Sequence, residues 1–204
     1  MAVTPEFRDR VLAWLADNVP AKRLQHIQGV EQYALALARQ HGLDAAQAQA
    51  AGLMHDLAKY FPPDRLLQMA EAEGLTIDPI CRRHPHLLHA DASAIVARDR
   101  FGVRDGQVLE AIRNHTLGRP QMDALSCVVF VADALEPNRG QSAELKAMRA
   151  TCQQDLIRGV RQSCDYSIRQ LLQAGRPIHP QTVAARNWAL ECSRQQPREA
   201  VATP

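Results

Sequence analysis

Three things are scarce in these 204 residues: aromatic rings, paired cysteines and an excess of one charge. Aromatics make up 4% of the chain, which leaves little for the stacking platforms that grip single-stranded nucleic acids. The five cysteines, Cys81, Cys127, Cys152, Cys164 and Cys192, are odd in number, widely spaced and without a C-x-x-C pair. Neither a disulfide framework nor a zinc finger fits that pattern, so they read as reduced packing thiols. Lys and Arg number 24 against 22 Asp and Glu, a net charge of +2. That is too balanced for an electrostatic nucleic-acid surface. No apolar run approaches the roughly 18 residues of a membrane helix. The first ten residues are charged and lack the apolar stretch of a signal peptide. The expectation is a cytoplasmic protein with no nucleic-acid and no membrane partner.

β-Branched residues are also few. The 13 Val and 8 Ile stand against 32 Ala and 22 Leu, a balance that favours helices and predicts an all-α fold. Breakers divide the chain into blocks. Thr4-Pro5 caps a helix to about residue 17, and a second runs from about 21 to 41 before Gly42. Asp44 caps a third, to about 59, and Pro62-Pro63 opens a fourth that stops at Gly74. Residues 76–85 hold only short helical turns. Further helices are expected at about 88–100, 105–115 and 124–135, then near 142–151, 154–174 and 181–194. The Val128–Val131 run is the best strand candidate, but it sits inside a longer helical pattern. This gives nine to ten helices in one bundle. An N-terminal helix (1–19) precedes a core (20–140), helices packed on it (141–196) and a flexible tail (197–204).

What the chain has in excess is histidine, eight in all. The segment Leu53-Met54-His55-Asp56-Leu57-Ala58-Lys59 sets His and Asp side by side near the end of an apolar helix. Neighbours on a helix differ by about 100°, so both reach one point only over the helix edge. The pair is either a packed His beside a capping Asp, or half of a metal site, because a buried carboxylate needs a partner or a cation. His26 lies near the apolar stripe of the second helix, and Asp133 interrupts the apolar run Phe130–Leu135. Each alone has a structural explanation. Together they supply two imidazoles and two carboxylates with apolar flanks, a set that suits a borderline divalent metal with open positions.

The order His26, His55-Asp56, Asp133 resembles the metal quartet of the HD superfamily of phosphohydrolases. Six segments in order are similar to the YqeK-type members. They are Arg23-Leu24-Gln25-His26-Ile27-Gln28-Gly29-Val30, Leu53–Lys59, Leu87-Leu88-His89-Ala90, Ala111–Arg119, Phe130–Arg139 and Ile178–Asn187. The resemblance spans about residues 20–190. It implies an HD-domain helical bundle and a symmetrical bis(5′-nucleosyl)-tetraphosphatase, which cuts diadenosine tetraphosphate into two ADP with a metal-activated water. Iron is the metal implied, with manganese, cobalt or nickel as alternatives, and the substrate is a dinucleoside polyphosphate or a related nucleotide. A homodimer is implied as well. Two departures stand out: Gly140-Gln141-Ser142 replaces a Phe-Pro-Gly-like turn, and Ala90 replaces a glycine.

The resemblance also suggests roles. His26, His55, Asp56 and Asp133 hold the metal, and Asp56 orients or deprotonates the nucleophile. Arg23 and Lys59 lie one helical turn from His26 and His55 and, with Arg139, collect phosphate charge. Arg119 is a weaker candidate for the same task. His89 and His115 are phosphate donors, an acid for the leaving ADP, or ligands of a second metal. Thr116 adds a hydroxyl to a phosphate cradle, so substrate contacts fall to Arg23, Asp56, His89, His115, Thr116, Asp133 and Arg139. Catalysis falls to Asp56, Lys59 and His115. His84 and His86 are expected in solvent, His41 next to its Gly42 cap, and His179 at a turn. The competing readings are another HD phosphohydrolase (a nucleotidase or a deoxynucleotide triphosphohydrolase), a non-catalytic nucleotide sensor, and a ribosome-associated adaptor. No Gly-Tyr-Pro follows the His-Asp, so the HD-GYP phosphodiesterases do not fit.

Overall fold

The caps read from the sequence set the helix starts. In the computed structural model, which describes residues 3–195, Thr4 accepts the amide of Phe7 and opens α1 (Pro5–Asn18). Asp44, Asp105 and Asp123 cap α3 (Ala45–Met54), α7 (Gly106–Asn114) and α8 (Ala124–Leu135) in the same way. The other helices are α2 (Ala21–Gln40), α4 (Pro63–Ala72), α5 (Pro79–Arg83), α6 (His89–Asp99), α9 (Ala143–Gln154), α10 (Leu156–Gln173) and α11 (Pro180–Gln195). Among the described residues there is no strand, and the Val128–Val131 run lies inside α8. The described residues form eleven helices and two 3-10 turns where nine to ten helices were expected, because the segment 76–85 holds a complete short helix capped by Asp78. The tail at 197–204 lies outside the described residues.

One expected boundary shifts, and the shift matters. The third helix stops at Met54, not near Lys59; residues 55–60 are turns. His55 keeps a right-handed helical backbone, φ −58° and ψ −33°, and beyond it the hydrogen bonds close over three residues, from Leu57 to Met54 and from Lys59 to Asp56.

Alanine explains how closely the helices approach. Ala34, Ala38, Ala48, Ala50, Ala51, Ala97, Ala111 and Ala132 are all fully buried. Gly52 brings α3 nearer still: a Cβ there would lie 3.1 Å from the Glu31 Cα and 3.2 Å from the Val30 carbonyl on α2. Helices α2, α3, α7 and α8 form the centre, α6 packs on α7, α9 and α10 pack on α8 and on each other, and α11 packs on α10. A continuous buried apolar cluster runs from Val11 on α1 to Ala189 on α11. An ion pair with only its acid fully buried pins α1 to the centre: the Arg8 guanidinium holds both Glu31 oxygens, at 2.7 and 2.9 Å, and Gln49 adds a bond at 2.9 Å. No helix among the described residues is long and apolar enough to cross a membrane.

Candidate metal centre

Three buried histidines share one local device. The Nδ1 atoms of His55, His89 and His115 lie 2.7, 2.6 and 2.7 Å from the carbonyls of Gly52, His86 and Ile112, each three residues back. A carbonyl only accepts, so each Nδ1 carries the proton and each Nε2 turns a lone pair away from it. Each of these residues sits where a helix ends or begins, so the side chain points past the helix edge into the bundle.

His26 is fixed differently. Its Nδ1 donates to Glu136 Oε1 at 3.0 Å. The other Glu136 oxygen accepts the amide of Asn138 at 2.7 Å. Glu136 is 1% exposed and follows α8. It lies directly over Gly29 on α2, where a Cβ would overlap its carboxylate and sit 2.9 Å from Asn138 Nδ2. The glycine three residues after His26 thus makes room for the carboxylate that orients His26. A carboxylate behind a histidine in this way sets its tautomer and raises its ligand strength.

The four Nε2 atoms converge on two carboxylates. Nε2 of His26 is 2.9 Å from Asp133 Oδ1. His55 Nε2 is 3.3 Å from Asp56 Oδ2 and 3.7 Å from Asp133 Oδ1. The second Asp56 oxygen faces the other way, 3.3 Å from His89 Nε2 and 3.6 Å from His115 Nε2. Asp56 therefore stands between two trios, one with His26 and His55 and one with His89 and His115, each compact enough to hold an ion.

The donor set itself calls for cations. With Nδ1–H of His26 given to Glu136, its Nε2 lone pair faces a carboxylate oxygen at 2.9 Å. Two acceptors repel at that distance unless a proton or a cation lies between them. Nε2 of His89 and of His115 face each other at 3.1 Å, with Thr116 Oγ1 as a shared hydroxyl at 3.1 and 3.0 Å and Lys59 Nζ 3.1 Å from His89 Nε2. His55 Nε2 and Asp56 Oδ1 are buried without a hydrogen bond. Their close approaches to neighbours are out of line for one. Unsatisfied buried groups of this kind are expensive in a finished core and natural in a metal site.

Electrostatics point the same way. Burial opposes the charge on Asp56, but His55, His115 and His89 hold its carboxyl well below the ordinary range. Burial also opposes charge on His55, yet Asp56 and Asp133 raise it above its usual value. Metal binding would displace such a proton. His89 stays neutral: burial, helped by Lys59, lowers it to about 4 against the pull of Asp56.

The expected cations stand at the rim of this centre. Arg23 donates to Asp56 Oδ2 at 3.1 Å, Arg139 to Asp133 Oδ1 at 2.7 Å, and Lys59 Nζ lies 3.1 Å from His89 Nε2. Arg119 does not join them. It is half exposed and pairs with Glu110 at 2.8 Å, because its loop turns it away from the centre. Of the remaining histidines, His41 is tied to the Cys152 carbonyl at 2.7 Å. His84 is half-buried rather than solvated, and His86 is exposed on a cleft wall. His179 bonds Asp78 Oδ2 at 2.9 Å and so ties the start of α11 to α5.

Thr116 opens onto two clefts that share Tyr166 and Ser167. The smaller, about 330 Å³, also carries His115, Asp133 and Arg139. The larger, about 750 Å³, carries His84, His86 and Arg176. Glu136 and Tyr166 have no site role in the sequence reading. A glutamate after a helix end looks like a solvated charge; the signals against that are its place in the Phe130–Arg139 segment of the family resemblance and Gly29, far away in sequence. Nothing local to Tyr166 marks it.

The HD-domain family profile matches residues 23–138. A symmetrical bis(5′-nucleosyl)-tetraphosphatase of Bacillus subtilis is 32% identical over 91% of this chain and 99% of that protein. The protein of the same description in Halalkalibacterium halodurans is 34% identical over 90% of this chain and 97% of its own. The crystal structure of a Clostridium acetobutylicum protein, described as a predicted HD superfamily hydrolase involved in NAD metabolism, superposes with a TM-score of 0.85 at 33% identity, covering 90% of this chain and 97% of that one. With the profile spanning more than half of its length and these relatives nearly all of it, the chain belongs to the HD-domain family of hydrolases, in the branch that holds the symmetrical bis(5′-nucleosyl)-tetraphosphatases.

Proposed function

We propose that the protein hydrolyses diadenosine tetraphosphate symmetrically to two ADP. The carrying observation is the placement of Asp56 between two pairs of buried Nε2 donors, with Arg23, Lys59 and Arg139 at the rim. His26, His55, Asp56 and Asp133 would hold one ion, and Asp56, His89 and His115 a second. Iron is the metal proposed, with manganese, cobalt or nickel able to take the same nitrogen and oxygen donors. Such ions polarise a phosphoryl oxygen and lower the pKa of water.

The chain's own groups do the rest. Water adds across the central P–O–P bridge, so one ADP gains the hydroxyl and the other leaves with the bridging oxygen and a proton. Asp56 orients the attacking water. Arg23, Lys59 and Arg139 neutralise phosphate oxygens as charge moves onto the leaving group. The Thr116 hydroxyl, already 3.0 Å from His115, donates to a phosphate at the cleft junction. Residues 20–140 carry this chemistry, and the helices after 141 supply the far wall of the clefts through Tyr166. Four buried free thiols suit the reducing cytoplasm.

The test is direct. Protein loaded with iron or manganese is offered diadenosine tetraphosphate, and products are identified by chromatography. Two ADP supports the proposal, and ATP plus AMP refutes symmetrical cleavage. Metal binding without turnover of any nucleotide would make the protein a sensor.

A further inference from the structure

A symmetrical substrate carries two nucleosides, and the molecule has two clefts meeting at one hydroxyl. Thr116 Oγ1 touches both His89 and His115 at the centre, and Thr116 lines both clefts. At about 330 and 750 Å³, both fall in the range of small-molecule pockets. Tyr166 stands in the wall they share.

A third cavity, of about 530 Å³, also reaches Thr116, and its lining mixes Asp78, Asp91 and Glu110 with Arg113 and Arg119. Both arginines are already paired with Glu110, so that wall offers a polyphosphate no unpaired cation. The 750 Å³ cleft has no carboxylate in its lining. Arg176 there has no ion-pair partner among the described residues, so the cleft keeps one unpaired cation in its lining. Its remaining surface is largely aliphatic, from Ile80, Leu87, Leu117 and Leu171, which suits the face of a purine where aromatic residues are few.

We propose that the 750 Å³ cleft seats one nucleoside half of the substrate and the 330 Å³ cleft the other, with Thr116 and Tyr166 as the partition that places the central phosphates at the metal centre. This rests on the tetraphosphatase reading above. Under it, selectivity for a dinucleoside polyphosphate over a single-nucleoside one is written in the larger cleft. Arg176 and Leu171 are the residues that set it.

The experiment compares kcat/KM for diadenosine tetraphosphate with that for adenosine 5′-tetraphosphate, which has the same four phosphates and one nucleoside fewer. The wild-type protein is expected to favour the dinucleoside. Leu171→Trp fills the larger cleft, and Arg176→Ala removes its cation with little effect on folding. Both should lower the ratio of the two kcat/KM values by about tenfold or more, equal to about 1.4 kcal/mol of lost discrimination. A wild-type ratio near one overturns the inference, as does an unchanged ratio in whichever variants fold. Failure of the wild-type protein to cut either compound would instead overturn the tetraphosphatase reading itself.

Discussion

Glu136→Gln removes one charge and almost no volume, and it probes the centre through His26 alone. The wild-type carboxylate answers two donors at once, His26 Nδ1–H at 3.0 Å and the Asn138 amide at 2.7 Å. A glutamine offers one acceptor and one NH2. If its oxygen serves His26, the NH2 meets the Asn138 amide, and two buried donors face each other. If its oxygen serves Asn138, the NH2 donates to His26 Nδ1, and the proton moves to Nε2, where the metal lone pair should be. The first arrangement leaves a buried polar group unpaired, at about 1–3 kcal/mol. The second spends a similar amount on the wrong tautomer. Loss of a carboxylate behind a ligating histidine typically lowers metal affinity by about 10–100-fold, or about 1.4–2.7 kcal/mol, so the two routes agree. Calorimetric titration of the metal-free variant with Mn²⁺ reads the loss, and circular dichroism confirms that the helices persist. Gly29→Ala should act in the same direction, because its Cβ displaces the same carboxylate. Mn²⁺ affinity within twofold of wild type in a folded Glu136→Gln protein would refute the role of Glu136, and with it the metal assignment of His26.

Other predictions concern stability and reactivity. Arg8→Ala strands the fully buried Glu31 carboxylate, and since Arg8 is itself 30% exposed the loss should fall near the low end for broken buried pairs, about 3 kcal/mol; urea melts that show less than 1 kcal/mol would refute it. Burial pushes the thiols of Cys81, Cys127, Cys152 and Cys164 up to about 12, so the native protein should show one fast thiol toward a disulfide reagent at pH 8, Cys192, and four more only after denaturation. A second fast thiol in the native protein would contradict the packing. Arg98 holds the Glu73 carboxyl below its ordinary value, with burial opposing. The stabilisation that follows is present above the unfolded carboxylate pKa and is lost as pH falls through the lower folded value. Arg98→Ala should therefore cost up to about 1 kcal/mol at pH 7, and its melting curve should converge on that of the wild type in acid. A gap that widens in acid would reverse the sign of the linkage.

Much of the bundle was legible because its signals are local. Thr4, Asp44, Asp105 and Asp123 each satisfy orphan amides within three residues, so the caps could be read one at a time. The short α5 was harder: Asp78 and Pro79 carry the cap and first-turn signals, but five residues leave no apolar periodicity to read. The quartet and its cations could be nominated because each is a polar residue out of place on an apolar element. Glu136 was marked only by the family resemblance of Phe130–Arg139, without a role, and Tyr166 not at all, because their roles depend on Gly29 across the bundle and on the meeting of two clefts at Thr116.

The end of α3 shows why placement needed the fold. A helix continued to Lys59 would keep four-residue hydrogen bonds through this stretch. Instead the helix ends at Met54, His55 keeps helical backbone, and the bonds beyond it close over three residues. The His55 ring folds back onto the Gly52 carbonyl, and the Asp56 oxygens face opposite trios. Burial makes the arrangement costly in isolation, since Asp56 is 1% exposed and half of its acceptor capacity is unmet by the protein. A carboxylate is kept charged at such a cost only where cations repay it. Arg23 supplies part of that charge, through Oδ2. The other oxygen, between His89 and His115, has no protein donor at all, so it is at this second trio that the case for an ion is strongest.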